Sequence, residues 1–139
     1  MIRRPLVLSG LLIAAWGCTS SRPTDVATQP GDCYCELIQP LVTNNNGELR
    51  FKVRYVFPDG PPKYDAWFVC RFEIYSNSTS SMSVWKMGKE LNQAGEFEAV
   101  TNAALLRIPH GAFAAQVKQA SKKNGIDERP VSPRLVTEF

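Results

Sequence analysis

The sequence predicts a mainly β fold, an antiparallel sandwich-like domain with one α-helix in its C-terminal half at about residues 111–124. Three observations carry that expectation. Apolar residues alternate with polar ones over two stretches, strong turn signals separate such stretches, and one late segment places its apolar residues at helical spacing.

The domain is expected to begin near Asp32. The first strand, Cys33 to Val42, alternates imperfectly, with Cys33, Cys35 and Leu37 on one side and Tyr34, Glu36 and Ile38 on the other. Asn44-Asn45-Asn46-Gly47 then marks a turn, because Asn and Gly tolerate positive φ. The clearest strand follows: Leu49, Phe51, Val53, Tyr55 and Phe57 share one face, and Arg50, Lys52 and Arg54 the other. Pro58-Asp59-Gly60-Pro61-Pro62 forces a loop, since proline cannot continue a ladder.

A third strand runs from Ala66 to Tyr75, with Phe68, Cys70, Phe72 and Ile74 on one face and Trp67, Val69, Arg71, Glu73 and Tyr75 on the other. Second and third strands are expected to pair as an antiparallel hairpin. Asn77 to Ser81 is expected as another turn, and Asn77-Ser78-Thr79 within it has the form of a glycosylation acceptor but is read as polar turn. Further strands are expected at Met82 to Met87 and Gly95 to Val100, with Ala103 to Ile108 ambiguous between strand and helix. The helix, Gly111 to Asn124, rests on Phe113, Val117 and Ala120, on Lys122 and Lys123 at its carbonyl end, and on the stop Asn124-Gly125. Ile126 is expected to close back on its last turn, and a short strand to follow at Leu135 to Phe139.

The first eighteen residues read differently. Arg3 and Arg4 precede an apolar run, Leu6 to Trp16, and then Gly17-Cys18-Thr19-Ser20. The run is little more than half the ~20 residues a membrane-spanning helix needs. It resembles the signal peptide and lipobox of bacterial lipoproteins, although Ala15 stands where leucine is usual and Trp16 is bulky for its place. The resemblance implies that residues 1–17 are removed and that Cys18 is lipidated. Thr19 is similar to the sorting signal for the outer membrane, with the chain facing the periplasm. Ala15 and Gly17 also suit ordinary secretory cleavage, which leaves a secreted protein as the alternative. Residues 18–31 are then a polar tether and residues 32–139 a single domain. Arg3 and Arg4 supply two of the three formal positive charges, leaving +1, so net charge implies no acidic partner and nucleic acid is not expected.

Three thiols remain for the domain. An exported compartment is oxidising, so Cys33, Cys35 and Cys70 are expected to supply one structural disulfide, Cys33 or Cys35 to Cys70, if the first and third strands are neighbours. A metal reading draws on Cys33, Cys35, Cys70, Met82, Met87 and His110 as soft Cu(I) ligands, but paired ligand clusters are missing and no metal is expected. His110 is the one histidine, with nothing to place a thiol beside it, and no cofactor loop is visible. Glu96 and Glu98 read as a solvated edge rather than a paired-carboxylate site.

The candidate binding surface is the stripe Arg50, Lys52, Arg54, extended by Lys63 and Arg71. It suits anionic head groups, peptidoglycan carboxylates or an acidic protein, unless Glu36 and Glu73 neutralise it across the strands. Trp67, Trp85 and Tyr75 mark a protein interface if they are exposed and core if a second sheet covers them. The expected function is a non-enzymatic binding or assembly component, anchored in the cell envelope by its lipid and partnered by an envelope protein or peptidoglycan. The alternative is an exported thiol-redox or copper-handling protein using Cys33, Cys35 and Cys70.

Overall fold

A computed structural model describes residue 26 and residues 32–63, 65–75, 79–102 and 111–138. The lipobox, the tether apart from residue 26, the segment 103–108, His110 and the first two residues of Asn77-Ser78-Thr79 lie outside them. The fold is mainly β and antiparallel, two sheets packed face to face. The smaller sheet has the order β1-β2-β5, with β1 at Glu36–Asn45, β2 at Glu48–Val56 and β5 at Ala94–Asn102. The larger has β4 (Thr79–Met87), β3 (Trp67–Tyr75), β6 (Ala112–Ala120) and β7 (Arg129–Pro130) in that order, with β8 (Leu135–Glu138) also on β6.

Alternation predicts the faces well. Leu49, Phe51, Val53, Tyr55 and Phe57 are all buried, as are Phe68, Cys70, Phe72 and Ile74. Rings from the two sheets meet edge to face, Phe51 on Phe113 and Phe57 on Phe68, each pair at 5.5 Å between centroids. Such contacts add to the burial of aromatic area that dominates the core.

The partners of β2 and β3 are not those expected. β2 pairs β1 and β5, whereas β3 pairs β4 and β6, so the expected hairpin does not form. The loop after Val56 carries the chain from one sheet to the other. Alternation states which face of a strand is apolar; two facing sheets and one folded hairpin satisfy it equally.

The predicted helix is also corrected. Ala112–Ala120 is β6, a central strand between β3 and the β7–β8 edge. Phe113 and Val117 are shared by a 3.6 and a 2.0 period, and Ala115 completes the inward set at period two. Alanine's helical preference is small beside the ladder and core contacts a central strand makes. Small Ala114 and Ala112 also fit opposite Glu73 and Tyr75, whose side chains crowd the outer surface. β6 ends at Ala120, before the expected stop, and Asn124, at φ of 56°, lies in the loop that follows. Ile126, however, closes back on nothing and is fully exposed.

The uneven alternation of β1 has a local cause. Ile38 pairs Arg54 and Leu41 pairs Lys52, so three steps on β1 oppose two on β2. Gln39, at φ of 52°, and Pro40 form this bulge. Leu37 therefore faces Tyr55 inside before it, and Val42 faces Phe51 inside after it.

On β6 a serine stands in for a strand. Val117 N–H donates to Ser132 Oγ at 2.8 Å, and the hydroxyl donates to Pro133 O at 2.9 Å. Val131 N–H donates to Val117 O at 3.0 Å, and Cys35 N–H to Val131 O at 2.7 Å. The chain thus crosses from the edge of the larger sheet into β1 of the smaller one.

Candidate functional site

The basic stripe forms as a geometric feature but is not a free cationic surface. Arg50, Lys52 and Arg54 project from the outer face of the smaller sheet, where β5 pairs beside them. Arg50 reaches Glu98 at 2.7 Å and Glu48 at 3.3 Å; Lys52 reaches Glu96 at 3.1 Å and Arg54 the same carboxylate at 3.9 Å. The neutralising groups are Glu48, Glu96 and Glu98, in place of the expected Glu36 and Glu73. Arg71 and Glu73 lie on the other sheet, and Lys63 in the loop between sheets, so neither Lys63 nor Arg71 extends the stripe.

The outer face of the larger sheet is built differently. Arg71 sends its guanidinium to both oxygens of Glu128, to Ser83 Oγ and, at 5.7 Å, over the ring of Trp85. Lys118 lies 3.9 Å from the same carboxylate. Beneath this roof Val69, flanked by Trp85 on β4 and Lys118 on β6, is fully buried although it points away from the core between the sheets. Long side chains that carry charge at their tips and lay their stems over apolar surface account for that burial.

Further along the face, Arg134 binds Glu73 at 2.7 Å, stacks over Tyr75 at 5.3 Å and donates to the Tyr75 hydroxyl, which donates to Glu73. The hydrogen bond from Tyr75, with that from Arg134, holds the Glu73 carboxyl below its usual range, and the same bond to Glu73 pushes the Tyr75 hydroxyl up. Lys123 covers Trp67 at 6.0 Å. Trp67, Trp85 and Tyr75 are half-buried, each beside a cation.

The expected disulfide is not formed: Cys33, Cys35 and Cys70 are free thiols. Cys35 precedes β1 and Cys70 lies on β3, both among the core residues that the two sheets enclose. Burial pushes both the Cys35 and the Cys70 thiol up, which opposes thiolate formation. Met82 packs against the core and Met87 faces Trp67 across the ladder, each as a filler of irregular space. Among the described residues no three His, Cys, Asp or Glu side chains come together as a group able to hold a metal.

One polar cleft of about 430 Å³ opens where the β2–β3 loop meets the end of β6, lined by Lys63, Asp65, Gln119, Ser121, Asp127 and Arg129. Its groups are largely engaged with the protein: Arg129 with Asp32 at 2.5 Å, Asp127 with Ser121 N–H at 2.9 Å, and Gln119 with Cys33 N–H at 3.1 Å. No local pattern in the sequence marks this cleft, whose residues are far apart in the chain, or marks Glu128 and Arg134 as partners of β3. Tyr75, Trp67 and Trp85 were legible as a set; their cations were not.

Among the described residues no helix is long and apolar enough to cross a membrane. The chain matches no protein-family model, no curated protein and no solved structure.

Proposed function

We propose that the chain is an envelope lipoprotein, held by lipid on Cys18, whose sandwich is a non-enzymatic binding or assembly component. The observation that carries the binding role is the outer face of the larger sheet. There Trp67, Trp85 and Tyr75 are half-buried, stiffened by Arg71, Lys123 and Arg134. Tryptophan, tyrosine and arginine are enriched among the residues that dominate protein interfaces. The partner is a protein of the cell envelope, with peptidoglycan as the second choice, and the site of action is the periplasmic side of the outer membrane. A secreted form keeps the same face. Nucleic acid, metal and cofactor have no part in this reading.

The thiol-redox or copper alternative requires Cys33, Cys35 and Cys70 to act as thiolates. Burial of Cys35 and Cys70 supports an inert, space-filling role instead.

Chemical crosslinking of the full chain in the envelope, with identification of what it captures, tests the proposal. Trp67→Ser and Trp85→Ser together should abolish capture of the specific partner, while Arg50→Glu leaves it unchanged. Capture that survives the tryptophan changes and fails with Arg50→Glu moves the interface to the smaller sheet.

A further inference from the structure

The two ends of the sandwich differ in what they carry. The chain enters the fold at Asp32, whose buried carboxylate pairs with Arg129, and at Cys33, whose N–H donates to Gln119. Gln119 and Arg129 are paired residues of β6 and β7, at the base of the loop 121–128. The loop after β2 and the 3-10 turn Gly88–Glu90 after β4 stand at this same end, joined by Gly88 N–H to Ala66 O at 2.7 Å. The opposite end holds the Asn46–Gly47 turn and the last residues of β8.

Ile126, in the loop 121–128, is the most exposed large apolar residue among those described, while its neighbour Gly125 is buried. Lys122 and Lys123 share its loop, and Lys63 and Lys89 project from the two adjoining ones, all four exposed and outside the salt bridges of the described residues. Asp59, Asp65, Glu90 and Asp127 balance them, so this end is close to neutral. A single exposed isoleucine is ordinary on a protein surface. Its position on the end that receives the tether is what gives it meaning.

We infer that this end rests on the lipid surface that holds Cys18, with Ile126 seated among the head groups and the neighbouring lysines at phosphate level. The inference rests on the anchored reading above. Lysine stems lie along apolar surface while the ammonium stays wet, the arrangement of residues at a membrane boundary. One isoleucine is too little to hold a free domain on a bilayer. A tether changes that, because the segment 19–31, at ~3.5 Å per residue at most, confines the domain to within a few nanometres. The contact is then intramolecular, at an effective concentration on the order of millimolar. Balanced charge makes it insensitive to salt.

The test places the photoreactive residue benzoylphenylalanine at 126, or at 46 as the control, in the full chain, with palmitate-analogue labelling followed in parallel and compared with Cys18→Ser. Each lipidated protein is reconstituted in phosphatidylcholine vesicles and irradiated, and lipid adducts are counted by mass. The expected result is at least about tenfold more adduct at 126 than at 46, changing less than about twofold between low and high salt. Equal adducts at both positions in a labelled chain overturn the docking alone. Loss of the excess at high salt overturns it as well, in favour of simple charge attraction. No palmitate incorporation overturns the anchored reading and the docking together.

Discussion

Arg71 on β3 and Glu128 in the loop before β7 are joined across the outer face of the larger sheet, over the strand β6 that separates them. Glu128 is the less accessible partner, 15% exposed against 33% for the arginine side chain. The pair therefore works in a partly dry setting, where a charged hydrogen bond is worth more than on an open surface. Arg71→Ala should destabilise the fold by about 1–3 kcal/mol, since it also strands the carboxylate and uncovers Val69. A double-mutant cycle with Glu128→Gln, read from urea midpoints, checks it: strictly additive losses would mean the two groups do not interact.

Ser132 offers a cleaner single-atom test. Its hydroxyl is the acceptor for Val117 N–H inside the larger sheet, and Ser132→Ala leaves that buried donor without it. The expected loss is about 1–3 kcal/mol with no change in shape. Urea unfolding together with hydrogen exchange at Val117 measures it.

Gly88 sits where no side chain fits. A Cβ there would stand 1.7 Å from Lys63 O, a backbone atom that cannot swing aside. Gly88→Ala should cost about 1–3 kcal/mol by overpacking and should displace the loop after β2. Unfolding midpoints set against Gly60→Ala, whose Cβ meets nothing within 4 Å but whose φ is 103°, separate the clash from backbone strain.

The thiols make a kinetic and a pH prediction. In the Cys18→Ser chain, Cys33 should react with a small maleimide at once, and Cys35 and Cys70 only as fast as the protein opens. Two thiols that stay silent until a reductant is added would restore the disulfide. Burial raises both inner thiols above their ordinary value of 9.0, so the folded state holds their protons more tightly than the unfolded chain does. Their contribution is fully present below pH 9.0 and is lost as pH rises through the higher folded values. Urea midpoints should fall above that pH, and fall less steeply in Cys70→Ala.

The faces of β2 and β3 were legible because a period of two needs only the strand itself. Which strand lies beside which was not, and the charge partners followed from that. Glu96 and Glu98 could be placed against Lys52 and Arg54 only once β5 was known to flank β2. The misread helix has a similar root: Phe113 and Val117 fit both periods, and only the demand for a strand between β3 and β8 decides. The cleft and the aromatic–cation face join distant segments, which no local pattern records.

β1 is an edge strand of ten residues with Ile38 and Leu41 facing outward. Such an edge is a template for another chain to add to, the route to fibres and amorphous clumps. The bulge at Gln39–Pro40 breaks the template in the middle: it shifts the register by one residue, and proline offers no N–H. No straight strand can match both halves at once. The bulge therefore disfavours addition of a second strand along the whole length of β1.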